Sequence, residues 1–146
     1  MGEYSGEVLD WLYYIFMSAK ADYDGGYAMS MEASIAGEIF ADFVALAKRA
    51  LEEKQKDVAA VLACAALEDT LKRIAAANGL DVSEKEMADV INALKAARVI
   101  EGGTSKLVSA MPKIRNYALH ANWDKISEAD VGGVIGFVEQ LILTHL

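Results

Sequence analysis

One cysteine, one proline and two histidines serve a chain of 146 residues, and each scarcity removes a class of protein. Cys64 alone forms no intramolecular disulfide and no cysteine-based zinc site, which suits a reducing cytosol. It sits in the apolar run Val58 to Leu67 and reads as a small buried hydrophobe. Long hydrophobic runs are missing as well, since Trp11 to Met17 and Val58 to Leu67 fall far short of the ~20 apolar residues that span a bilayer. Glu3 and Glu7 stand where a secretory signal carries Lys or Arg, and no cleavage signal follows. The expectation is a cytoplasmic protein off the membrane. There is no glycine-rich phosphate loop or dinucleotide fingerprint, and no set of side chains has metal-ligand spacing, so neither a metal nor a cofactor is expected. Positive charge is short too: 14 Lys+Arg against 22 Asp+Glu leave a net charge of -8. That balance argues against broad nucleic-acid binding, because a phosphate backbone is held chiefly by neutralising cations.

What is present is the composition of one globular domain over residues 1–146, 54% hydrophobic and 25% charged. A mean hydropathy of +0.20 is high for so charged a chain and suggests apolar surface covered by a second copy. No stretch alternates at period two, whereas helical periods recur between glycine breaks. A helix over residues 6–21 is apolar around most of its circumference, with Val8, Trp11, Leu12 and Phe16 on several faces. A second, over 30–53, carries Ile35, Ile39, Phe40, Phe43, Val44, Leu46 and Leu51 as a stripe. A third, over 56–77, is apolar on opposite faces in its first half and one-sided in its second, as a central helix leaving the core would be, with Asn78-Gly79 as its C-cap. Ser83 to Glu86 has the form of a capping box opening a helix to about residue 98, and Glu101-Gly102-Gly103 ends that unit. In the segment 104–121, Pro112 either kinks a helix or marks its start. Ser127 to Asp130 is a second capping box. On the final helix Val131, Val134, Ile135, Val138, Leu141 and Ile142 share one face, and Gly132 and Gly136 offer a close approach on another. The fold class is all-α, an up-and-down bundle of five to six helices, expected to be dimeric.

Few residues can carry chemistry. The adjacent pairs Glu52-Glu53 and Glu68-Asp69 point in different directions on their helices and read as solvated. His145 is penultimate and reads as solvent-facing. What remains is the stretch 111–124, where Asn116 and His120 lie one turn apart on a helix and Arg115 is long enough to reach their face. Imidazole can take and give a proton near neutrality, and guanidinium presents a fork of donors suited to phosphate oxygens. The bland alternatives are a structural His120 paired with Asp124, an Arg115 in an ion pair, Tyr117 and Trp123 as core aromatics, and Lys106 and Lys113 as solvated lysines.

Arg115-Asn116, three further residues and His120 resemble the Arg-x4-6-His signature of the HEPN family, the "higher eukaryotes and prokaryotes nucleotide-binding" domains. The helix around Leu67-Glu68-Asp69-Thr70-Leu71, and Asn122-Trp123-Asp124 after the motif, resemble uncharacterised bacterial proteins of this type linked to defence and abortive infection. The resemblance covers residues 51–146; residues 1–50 form additional N-terminal helices with no matching motif. It implies a metal-independent endoribonuclease in a toxin or defence setting, a homodimer whose two motifs face one cleft, and an antitoxin-type partner protein. Such cleavage uses the 2′-OH as nucleophile and needs a base, an acid and a cation at the phosphate. One His cannot hold both protonation states at once, and His120 from each of two chains can. Arg115 then stabilises phosphate charge and Asn116 orients the phosphate or the imidazole, while Tyr117 or Trp123 stacks on a base, and Lys113 and Lys106 flank the RNA. The alternative is a non-catalytic nucleotide- or RNA-binding module, or a protein-interaction module, of the same fold. Residues 92–125 hold six cations (Lys95, Arg98, Lys106, Lys113, Arg115, Lys125) against Glu101 and Asp124, so the motif sits in the chain's basic segment.

Overall fold

The computed structural model describes residue 12 and residues 42–146, and every regular element in them is helical. A helical stretch over 42–52 leads into α1 (Lys56–Ala77), α2 (Met87–Ala96), α3 (Gly102–Ser109), α4 (Met111–Leu119), a 3-10 turn (Trp123–Lys125) and α5 (Glu128–His145). The all-α bundle expected from the periodicities is therefore what forms. The helix expected over 6–21 lies outside the described residues except for Leu12, which is helical and buried. Ile35, Ile39 and Phe40 of the second stripe lie outside them too. Within 42–52, Phe43, Val44, Ala47 and Ala50 face the core, but Leu46 does not and is 48% exposed.

α1 occupies the centre because its first half has small or apolar side chains all round. Ala59, Ala60, Leu62, Ala63, Cys64, Ala66 and Leu67 are all buried, and the alanines let neighbouring backbones come close. α5 lies along it most extensively, then α4 and α2. α5 contributes Val131, Val134, Ile135, Val138 and Leu141 as expected, and Phe137 besides. Its capping box is formed: Ser127 Oγ accepts from the Asp130 amide at 3.0 Å, and the Ser127 amide donates to Asp130 Oδ2 at 2.9 Å. Pro112 falls in the first turn of α4, where a missing N–H removes no helical hydrogen bond, so the proline starts a helix and does not kink one.

Three local expectations are corrected. Ser83 caps nothing: its amide and hydroxyl both donate to Asp81 Oδ1, at 3.4 and 3.1 Å, and α2 begins only at Met87 with no side-chain cap. The upstream aspartate offers the serine a closer acceptor than the helix does. Gly102-Gly103 opens α3 with Glu101 as N-cap, so the glycine pair is the start of a helix. Gly132 and Gly136 give no close approach: a Cβ on Gly132 would meet Leu51 Cδ2 at an ordinary 3.9 Å, and one on Gly136 would meet nothing within 4 Å.

Four helices leave by the same turn, through a left-handed residue at Lys54 (φ 64°), Gly79 (φ 74°), Arg98 (φ 58°) and Ala121 (φ 55°). At each, the next amide reaches back five residues, as in Gln55 to the Ala50 carbonyl, Leu80 to Ala75, Val99 to Leu94 and Asn122 to Tyr117. Only Gly79 has the residue that this conformation favours; the other three hold a Cβ against a strained backbone, which costs about 1 kcal/mol each.

Candidate functional site

The residues singled out in the sequence lie on α4 and the turn that follows it. Met111 and Ala118 anchor α4 in the core, with Ile114 and Tyr117 packed partly against it, so the opposite side, with Lys113, Asn116, Leu119 and His120, is left to solvent. Asn116 and His120 share that outer face, and the His120 amide donates to the Asn116 carbonyl at 3.1 Å as the helix closes. The His120 side chain is exposed and makes no hydrogen bond or ion pair among the described residues, with Asp124 or any other group. Its position at the C-cap is fixed by the Ala121 turn, by the Ala121 amide on the Ala118 carbonyl at 3.3 Å and by the Asn122 amide on the Tyr117 carbonyl at 2.8 Å.

Arg115 does not join them. Five residues on a helix separate it from His120 by about 140° around the axis, and its side chain turns along the other flank to α1. There Nε and Nη2 both donate to Glu68 Oε2 at 3.1 Å, while Lys72 Nζ lies 3.2 Å from Glu68 Oε1. Glu68 and Arg115 are 13% and 21% exposed, so these are partly desolvated, charge-assisted bonds of about 1.5–3 kcal/mol. Beside them Asp69 accepts from Arg73 Nε at 2.6 Å. The expectation that Glu68-Asp69 is solvated is thus overturned: both carboxylates are largely covered and ion-paired, Glu68 across two helices. The signal in the sequence was the spacing of Lys72 and Arg73 four residues on from each, on a helix whose preceding turns are largely buried.

Burial lifts the Asp69 carboxyl from its ordinary 3.8 to about 6, against the opposing pull of Arg73. Burial likewise pushes the Cys64 thiol up to about 12, with Arg115 lowering and Glu68 raising it by less. Cys64 is the inert buried hydrophobe that its surroundings suggested.

Of the other expected residues, Lys113 and Tyr117 come together. Tyr117 packs partly against the core, and its ring carries Lys113 Nζ at 5.9 Å and Lys125 Nζ at 5.4 Å from the centroid. Each contact contributes about 0.5–1 kcal/mol at such exposure. Trp123 also packs partly against the core, and its carbonyl accepts from Lys56 Nζ at 2.8 Å, which ties the 3-10 turn to the start of α1. Lys106 is exposed on α3. His145, expected to face solvent, is half-buried at the end of α5. Lys125 and Lys56 escaped the sequence reading because nothing in the chain order announces that both meet the aromatic residues of the motif. Among the described residues no three His, Cys, Asp or Glu side chains gather as metal ligands, and no helix is long and apolar enough to cross a membrane.

A family model described as Domain of unknown function (DUF4145) matches residues 46–145. No curated protein and no solved structure matches the chain significantly.

Proposed function

The chain belongs to that domain family, whose description names no activity, and we propose that it is a metal-independent endoribonuclease of the HEPN type that works as a homodimer. The observation that carries the reading is His120: an exposed imidazole with no side-chain partner among the described residues, one turn from an exposed Asn116, in a basic segment of an acidic chain. A histidine kept for folding is ordinarily buried and bonded; this one is available for proton transfer. In the reaction, His120 of one chain takes the 2′-OH proton and His120 of the other gives one to the leaving 5′ oxygen. Asn116 orients the phosphate, and Arg115 supplies positive charge. Because Arg115 and His120 leave α4 on different flanks, a site that uses both draws on a second chain. The toxin or defence setting and an antitoxin-type partner belong to the same proposal through the HEPN resemblance.

The test is incubation of purified protein with single-stranded RNA in EDTA. Cleavage leaving 2′,3′-cyclic phosphate ends, abolished by His120→Ala, is the expected result; intact RNA with a well-folded wild-type dimer overturns the proposal. A second reading, a non-catalytic binding or interaction module, draws on the Glu68–Arg115 ion pair, since an arginine held by a carboxylate is one already employed in the fold. It expects Arg115→Ala to lower the melting temperature and His120→Ala to change neither stability nor binding.

A further inference from the structure

Most lysines of the described region have an acceptor beside them. Lys48 meets Glu139, Lys54 meets Glu128, Lys72 meets Glu68, Lys56 donates to a carbonyl and Lys95 to Ser109 Oγ. Among the described residues Lys85, Lys106, Lys113 and Lys125 have none, and of these Lys113 and Lys125, from α4 and the 3-10 turn, both lie by the ring of Tyr117. Asp124, next in the chain to Lys125, is exposed and pairs with neither. The two ammonium groups, 5.9 and 5.4 Å from the centroid of that ring, concentrate positive charge beside Tyr117 and favour an anion there.

We propose that Lys113 and Lys125, held in place by Tyr117, form a seat for a backbone phosphate of single-stranded RNA next to the scissile one. The inference deepens the ribonuclease reading and rests on it. Tyr117 lies three residues before His120 and holds the Asn122 amide of its exit turn, so the seat and the imidazole belong to one stretch of backbone. Tyr117 then acts as a positioning residue for two cations, and its ring is engaged by them in place of a nucleobase. Both lysines contact the phosphate as point charges and carry no base specificity.

The seat is tested by fluorescence anisotropy of a labelled, mixed-sequence single-stranded RNA on full-length protein carrying His120→Ala, to prevent cleavage, across a series of salt concentrations. Each phosphate contact contributes about 0.7 to the slope of log K against log salt on a single strand. Lys113→Gln and Lys125→Gln each lower the slope by about that amount, the double variant by about twice as much, and Tyr117→Leu lowers it as the double variant does, while Tyr117→Phe preserves it. An unchanged slope in the lysine variants overturns the seat and leaves the cleavage reading standing. So does weaker binding at every salt concentration in Tyr117→Leu with the slope intact, which marks the ring as a base platform. Lysine-dependent binding by a wild-type protein that cleaves nothing overturns the ribonuclease reading and keeps the seat. A protein that binds no RNA overturns the seat.

Discussion

The two flanks of α4 differ in what surrounds them, although they share nine residues of helix. On the α1 side, Arg115 is met by Glu68, Glu68 by Lys72 and Asp69 by Arg73, so every charge there has a counter-charge within hydrogen-bonding distance and little access to water. On the outer side, Asn116 and His120 stand in solvent with no side-chain partner among the described residues, and Lys113 shares a ring with another cation. Satisfied charge on one flank fastens two helices together. Unsatisfied polar groups on the other contribute little to the fold and are free to meet something else.

Substitutions can sharpen that contrast or erase it. The largest effect is expected on the outer flank, where His120→Ala should lower the rate of RNA cleavage by about 10²–10⁴-fold, the size of a lost general acid–base group, with no change in melting temperature. On the inner flank Glu68→Ala leaves Arg115 and Lys72 partly buried without their acceptor and should destabilise the protein by about 2–3 kcal/mol in urea titration; a loss below about 0.5 kcal/mol would put both flanks in the same class. Asp69 gives the inner flank a pH signature. Because its folded pKa lies near 6, the folded chain holds a proton that the unfolded chain releases, so stability should fall as pH rises from about 4 to about 6. Unfolding midpoints across that window should show a decline worth about 2 kcal/mol in the wild type that is missing in Asp69→Asn. Ala121→Gly relieves the left-handed alanine behind His120 and should raise stability by about 0.5–1 kcal/mol. Asn116→Ala should stay within about 0.5 kcal/mol by the same urea titration, the smallest effect of the set.

The helical order was legible where one residue type dominates its neighbourhood. α1 runs over the expected residues 56–77, because its apolar period and Asn78-Gly79 admit one ending. Pro112 and the Ser127–Asp130 box mark the starts of α4 and α5 for equally local reasons. Reading failed where two short-range partners compete, as when Asp81 takes the Ser83 hydroxyl, and where a turn needs no glycine, as at Arg98 and Ala121. At the candidate site, the shared face of Asn116 and His120 followed from helix geometry alone. The capture of Arg115 by Glu68, 47 positions away, did not, since it depends on how α4 lies against α1. The meeting of Lys113 and Lys125 on Tyr117 was hidden in the same way, by a turn whose course the chain order leaves open.

The exit turn after His120 bears on how fast any reaction here can run. Two backbone hydrogen bonds close it and Lys56 clamps the 3-10 turn beyond it, which holds the imidazole at the end of α4 on a different flank from Arg115 of the same chain. In the proposed homodimer the second chain completes the site. Activity would then climb with protein concentration up to the dissociation constant of the pair, and dilution would act as an off switch.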